Sequence, residues 1–124
     1  MKLCDIILLE KIEWRIVPGW PRYEVSNTGQ IRNVRTMRVL RPQEHFGRDK
    51  NEPYLRVQLS NGIKRVNARV SRVVAFAFLG NPPKPDMEVD HLDTNRKNNN
   101  VKNLEWVSPY ENQRRKIERI YGNQ

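Results

Sequence analysis

Residues 54–59, YLRVQL, alternate apolar and polar positions without a break. That is the period of a half-buried strand, with Leu55, Val57 and Leu59 on the inner face and Tyr54, Arg56 and Gln58 on the outer. Asn61-Gly62 follows, the strongest hairpin-turn pair in the chain, so a return strand is expected over residues 63–66. The period then changes. Val70, Val73, Val74, Ala77 and Phe78 recur at i, i+3, i+4 spacing. This predicts a helix over 67–79, with Asn67 as its cap and Gly80 as its stop.

Upstream, Pro18-Gly19 and Trp20-Pro21 mark a turn, and residues 23–25 read as a strand. The run Ser26-Asn27-Thr28-Gly29 is a second turn, leading into strands at 30–34 and 38–40. Together they predict a small antiparallel sheet studded with Arg22, Arg32, Arg35, Arg38 and Arg41. Residues 43–53 read as a polar loop in which His45 is solvated or touches a phosphate. The proline-rich run at 81–85 predicts a stiff extended linker. Residues 1–13 fit a short amphipathic helix or a strand equally well.

The polar chemistry concentrates in residues 89–112, VDHLDTNRKNNNVKNLEWVSPYEN. The pattern predicts a short strand bearing Asp90-His91, a long polar loop, a second strand at Leu104 and Trp106, and a helix. Ser108 and Glu111 have capping-box spacing and Pro109 falls at the first helical position, so Asn112 lies in the first turn. A carboxylate and an amide oxygen are hard ligands suited to Mg²⁺ or Mn²⁺. An imidazole, with its ordinary pKa of about 6.5, can take a proton from water near neutrality. The helix N-terminus offers a positive dipole end to an anion. Taken singly, Asp90 reads as well as a surface carboxylate, His91 as a strand-end histidine and Asn112 as an exposed helix position.

Charge narrows the choice of partner. The 124 residues carry a net charge of +9 and a pI near 10.1, which points to a polyanion. Residues 14–86 hold 14 Lys/Arg against 5 Asp/Glu, whereas residues 87–124 hold 7 against 6. A single cysteine, Cys4, excludes an internal disulfide and any multi-cysteine zinc cluster. The apolar run Ile6-Ile7-Leu8-Leu9 is too short for a membrane span or a signal-peptide core, so a cytoplasmic protein is expected. The length allows one domain or two small lobes.

The arrangement of Asp90-His91, Asn103 ahead of Leu104 and Trp106, and Asn112 resembles the HNH nucleases found as phage and intron homing endonucleases. Residues 14–31, WRIVPGWPRYEVSNTGQI, resemble the DNA-binding module that commonly precedes phage HNH domains. The resemblance implies an α+β fold, with a basic antiparallel β-rich lobe over 13–66 and a nuclease unit over 67–124. In that unit a supporting helix at 67–80 precedes a ββα-metal motif at 87–120. It also implies site roles. Asp90 and Asn112 would bind one divalent metal ion, Mg²⁺ or Mn²⁺, His91 would activate water, and Asn103 would hold the loop so that the imidazole is aimed. Arg22, Arg32, Arg35, Arg38, Arg56, Arg72 and Arg114 are the expected contacts to double-stranded DNA.

The implied reaction is phosphodiester hydrolysis leaving a 5′ phosphate and a 3′ hydroxyl, with nicking by a monomer, a dimer remaining open. In a phage-encoded protein the compartment would be the bacterial host cytoplasm. Where Ser71 stands the family usually has histidine, so a changed packing or DNA contact is expected there. The alternatives are a non-cleaving DNA-binding regulator on an HNH scaffold and, from charge alone, a basic RNA-binding protein.

Overall fold

Local alternation and turn chemistry account for the architecture of the computed structural model, which describes residues 11–48 and 52–122. Cys4, the apolar run at 6–9 and most of the segment left open at 1–13 lie outside the described residues. Strands β1 (Trp14–Val17), β2 (Trp20–Ser26) and β3 (Ile31–Asn33) form one antiparallel sheet in that order. Gly19, with φ of +81°, makes the β1–β2 turn. Strands β4 (Gln43–His45), β5 (Tyr54–Ser60) and β6 (Arg65–Arg69) form the second sheet. Helix α1 (Val70–Phe78) follows β6 directly. Strands β7 (Glu88–His91) and β8 (Leu104–Val107) then pair antiparallel, and helix α2 (Pro109–Tyr121) closes the chain. The α+β class is as the sequence implied.

One hydrophobic cluster runs through both halves. Val17, Tyr23, Val25 and Ile31 from the first sheet meet Val57 and Leu59 from the second, Val70, Val73 and Val74 from α1, and Leu104 from β8. Tyr23 also accepts a hydrogen bond from the Ser60 amide at 3.1 Å, which ties the two sheets together. Val25, Leu59 and Val74 are almost completely buried. At roughly 1.5–3 kcal/mol for each fully buried aliphatic side chain, such residues dominate cohesion.

Several elements differ from the sequence reading. The helix starts at Val70, not Asn67, because residues 65–69 are strand. The connection occupies residues 61–64, where the Asn61 Oδ1 accepts from the amides of Ile63 and Lys64. The return strand therefore begins two residues later than expected, and Ile63 sits fully exposed at the tip. Pairing of Ser60 with Arg65 carries on to Arg56 with Arg69. Val66 and Ala68 pack inward at period two, and that burial overrides the helical reading of the same residues. Asn67 pairs with Gln58, and Arg69 takes the N-cap position without a side-chain cap.

The expected strand at 38–40 is only an isolated bridge between Arg32 and Val39. Met37 has φ of +61° and residues 35–39 are exposed, so little burial favours a longer ladder. Strand β4 lies in the expected polar loop, and β1 gave no clear signal because Arg15 and Ile16 are both exposed. Residues 81–87 bend into a turn closed by Met87 N–H to the Lys84 carbonyl at 3.3 Å, so they do not run extended. Among the described residues no helix is long and apolar enough to cross a membrane.

Candidate active site

Consecutive residues of a strand point to opposite faces, and β7 uses this to separate Asp90 from His91. The imidazole turns toward the loop between β7 and β8, and the carboxylate turns toward α2. The loop is a lattice of amides. Asn103 accepts from the Asp93 amide through Oδ1 at 2.9 Å. Its Nδ2 donates to Asp93 Oδ1 and to the Asn98 carbonyl, both at 2.9 Å. Asn98 donates to the other Asp93 oxygen at 2.8 Å, and Thr94 takes a left-handed φ of +68° to close the turn after His91. The Asn98 amide, helped by the Asn95 amide, holds the Asp93 carboxyl below its ordinary value.

His91 is held by a residue that the sequence reading did not single out. Its Nε2 lies 2.8 Å from Oδ1 of Asn99. An amide oxygen only accepts, so the ring donates Nε2–H and keeps Nδ1 as its free basic nitrogen. Asn99 is 4% exposed. Burial pushes the His91 pKa below its ordinary 6.5, against the raising effects of Asn99, Asp90 and Asp93. The ring is therefore neutral at neutral pH. The Asn103 side chain is hydrogen-bonded to Asp93 and the Asn98 carbonyl and not to the imidazole, so it bonds within the loop.

On the other face Asp90 is 5% exposed and meets two guanidiniums. Arg115 Nη1 donates to Oδ2 at 3.0 Å, and Arg119 reaches both oxygens at 3.1 and 3.3 Å. Arg115 also pairs with Glu105 and Glu111. The spacing of Glu111, Arg115 and Arg119 at i, i+4, i+8 was the available sign that one face of α2 is charged and packed. Ser108 Oγ accepts from the Glu111 amide at 3.0 Å, as expected of a cap. The Glu111 carboxylate, however, goes to Arg114 and Arg115, which hold its pKa at about 2, so the reciprocal half of the capping box is missing. Asn112 is 9% exposed in the first turn, and its Nδ2 donates to Glu88 Oε2 at 2.5 Å. Asn112 thus directs its nitrogen to Glu88 and keeps its oxygen for another partner.

Among the described residues no three His, Cys, Asp or Glu side chains gather as a metal cluster. The donor chemistry nevertheless suits a hard divalent cation. Asp90 and Asn112, both buried, offer a carboxylate and an amide, oxygen donors of the hard kind that Mg²⁺ or Mn²⁺ accepts.

The sequence profile of the HNH endonuclease family matches residues 68–114, and that of the NUMOD4 motif matches residues 13–67. The chain carries an HNH endonuclease domain behind a NUMOD4 motif. The I-HmuI DNA endonuclease of Bacillus phage SP01 is 33% identical over 98 residues, covering 78% of this chain and 53% of the relative. An uncharacterised HNH endonuclease of Acanthamoeba polyphaga mimivirus is 35% identical over 96 residues, covering 77% and 27% respectively. The solved structure titled "DNA binding and cleavage by the HNH homing endonuclease I-HmuI" superposes with a TM-score of 0.74 at 33% identity, over 86% of this chain and 59% of that one. The chain thus spans about a quarter of the mimivirus relative and about half of the phage relative.

In the HNH domain and its NUMOD4 partner the arginines fall into distinct settings. Arg32 pairs with Glu24 at 2.6 Å and lies 3.7 Å over the Trp14 ring. Arg72 lies over Trp106 and Phe76 and donates to the Met87 carbonyl. Arg114 pairs with Glu111 and Glu118. Arg22 approaches Gly62, and Arg35 and Arg38 lie on an exposed turn. Arg56 shares the outer face of the second sheet with Arg65 and Arg69, and its buried Nε has no hydrogen-bond partner. Arg65 and Arg69 were not expected there. The place of Arg69 on that face depends on β6 running past residue 66. Ser71 is buried on α1.

Proposed function

We propose that the chain is a metal-dependent DNA endonuclease whose general base is His91, with Asp90 and Asn112 holding a divalent cation, Mg²⁺ or Mn²⁺. The observation that carries this reading is the division of β7: an Asn99-fixed imidazole on one face, and on the other a buried carboxylate turned to α2, the helix that carries Asn112. Nδ1 of His91 accepts a proton from water as the water oxygen bonds to the phosphorus opposite the 3′ oxygen; the P–O3′ bond breaks and the departing oxygen takes a proton from solvent, leaving a 5′ phosphate and a 3′ hydroxyl. Asp90 and Asn112 would hold a divalent cation that would neutralise the charge developing in the transition state. Asn103 keeps the loop closed behind the ring, and Glu88 orients the Asn112 amide. Arg35, Arg38, Arg56, Arg65 and Arg69 neutralise phosphates of double-stranded DNA. The arrangement supplies one such centre per chain, so a monomer nicks one strand at each encounter.

A second reading has one observation in its favour. Arg115 and Arg119 satisfy Asp90 without any metal, as in a structural anchor for α2. On that view the chain binds DNA without cutting it. Supercoiled plasmid incubated with and without Mg²⁺ separates the two. Open circles should build up before linear molecules with metal only, and His91→Ala should abolish them while leaving DNA affinity within about twofold. Cutting by His91→Ala at the wild-type rate refutes the assignment of the base.

A further inference from the structure

The turn at residues 26–29 belongs to the first sheet, yet it reaches the loop that holds His91. The Asn27 carbonyl accepts from the Val101 amide at 2.8 Å. Gly29 has φ of +96°, and a Cβ placed there would lie 3.0 Å from both the Asn99 Cβ and the Asn99 carbonyl oxygen. The turn is itself locked. Ser26 and Thr28 hydroxyls share a 2.8 Å hydrogen bond, and the Asn27 side chain clasps the Glu13 amide and the Lys11 carbonyl at 3.0 and 2.9 Å.

We propose that this NUMOD4 turn is a positioning element of the HNH site, with Gly29 and the Asn27 carbonyl seating Asn99, which in turn fixes the His91 ring. The inference rests on the reading of His91 as the base. Glycine is favoured at 29 on two counts, since the backbone is left-handed and a Cβ there, 3.0 Å from Asn99, would press that residue aside by a few tenths of an ångström. Asn99 is buried between the turn and the imidazole, so displacing it rotates the ring from the outset. A misplacement of about 1 Å at a reacting group can lower a rate by roughly 100-fold.

The test compares Gly29→Ala, Asn99→Ala and the milder Asn27→Ala with Gly19→Ala. Gly19 is also left-handed, at φ of +81°, and lies in the same sheet, but a Cβ there meets nothing within 4 Å. Three quantities are read at equal folded fraction: the single-turnover cleavage rate, the Kd for DNA, and the ¹⁵N-detected Nε2–H of His91 in the metal-free protein. Gly29→Ala and Asn99→Ala should lower the rate roughly 10- to 100-fold and lose the protected Nε2–H, with Kd within about twofold. Asn27→Ala should move both the same way by less, and it decides the matter if Gly29→Ala does not fold. Gly19→Ala should change neither. Retention of the Nε2–H and the rate in Gly29→Ala or Asn99→Ala overturns the proposal, as does an equal loss in Gly19→Ala. If the wild-type chain cuts no DNA, the nuclease reading fails, and the Nε2–H comparison still decides whether the turn holds the ring.

Discussion

Replacing Asp90 by asparagine weighs a structural carboxylate against a metal-binding one. The amide keeps the size of the side chain but removes the charge that faces Arg115 and Arg119. Charge-assisted hydrogen bonds contribute roughly 1.5–3 kcal/mol each when buried. Here the two guanidinium side chains keep 24% and 33% of their exposure, and Arg115 retains Glu105 and Glu111. Solvent screening and these other partners reduce the gain by about half or more. Asp90→Asn should therefore destabilise the metal-free protein by about 1–3 kcal/mol, or roughly 3–12 °C in Tm for a chain of this size. A ligand present at about 100 times its Kd adds roughly 2.7 kcal/mol to the protein that binds it. Mn²⁺ should thus raise the wild-type Tm, and the variant should lose both that gain and its plasmid cleavage. The assays are thermal unfolding with and without Mn²⁺ and a plasmid time course. A variant that keeps the Mn²⁺ gain and cuts within about threefold of wild type refutes the metal role. If stability drops while cutting persists, Asp90 is an anchor for α2.

Three further outcomes follow from the same geometry. Converting Arg56, Arg65 and Arg69 together to Gln should flatten the dependence of log K on log salt by up to roughly 0.9 per lost phosphate contact, measured by DNA titration, and an unchanged slope moves the binding face elsewhere. Burial lowers the His91 pKa, so the acid limb of the cleavage profile should have its midpoint below 6.5. The unfolded chain binds the extra proton first, so this group's contribution to stability is complete above about 6.5 and is lost as pH falls through the lower folded value; a limb centred above 6.5 contradicts this. Leu59→Ala should cost about 2–5 kcal/mol in denaturant unfolding, and a loss under about 1 kcal/mol means the shared cluster repacks freely.

Much of the fold was legible because the signals were local. The alternation at residues 54–59, the turn residues at 26–29, and Ser108-Pro109 before α2 each mark an element from its own chemistry. The start of α1 was not legible, since Val66, Ala68 and Val70 satisfy a strand while Val70, Val73 and Val74 satisfy a helix, and only pairing with β5 decides between them. At the site, Asp90, His91, Asn103 and Asn112 were recognisable as a set. Asn99 was hidden among neighbouring asparagines, because its distinction is the closeness of Gly29, some seventy positions away in the chain. Arg115 and Arg119 were not singled out, because the tertiary fold is what turns them toward Asp90.

The core that joins both halves bears on how such chains can be inherited. The NUMOD4 and HNH profiles meet between residues 67 and 68, in the middle of β6. Recombination at that seam would sever a strand whose five residues all pair with β5. It would also detach Val57 and Leu59 from the helix they pack beneath. A new DNA-gripping module grafted there would have to bring back a matching strand, a matching apolar face and a glycine opposite Asn99. Exchange is easier beyond the ends of the shared core, and divergence of the two parts is then bound to proceed in step.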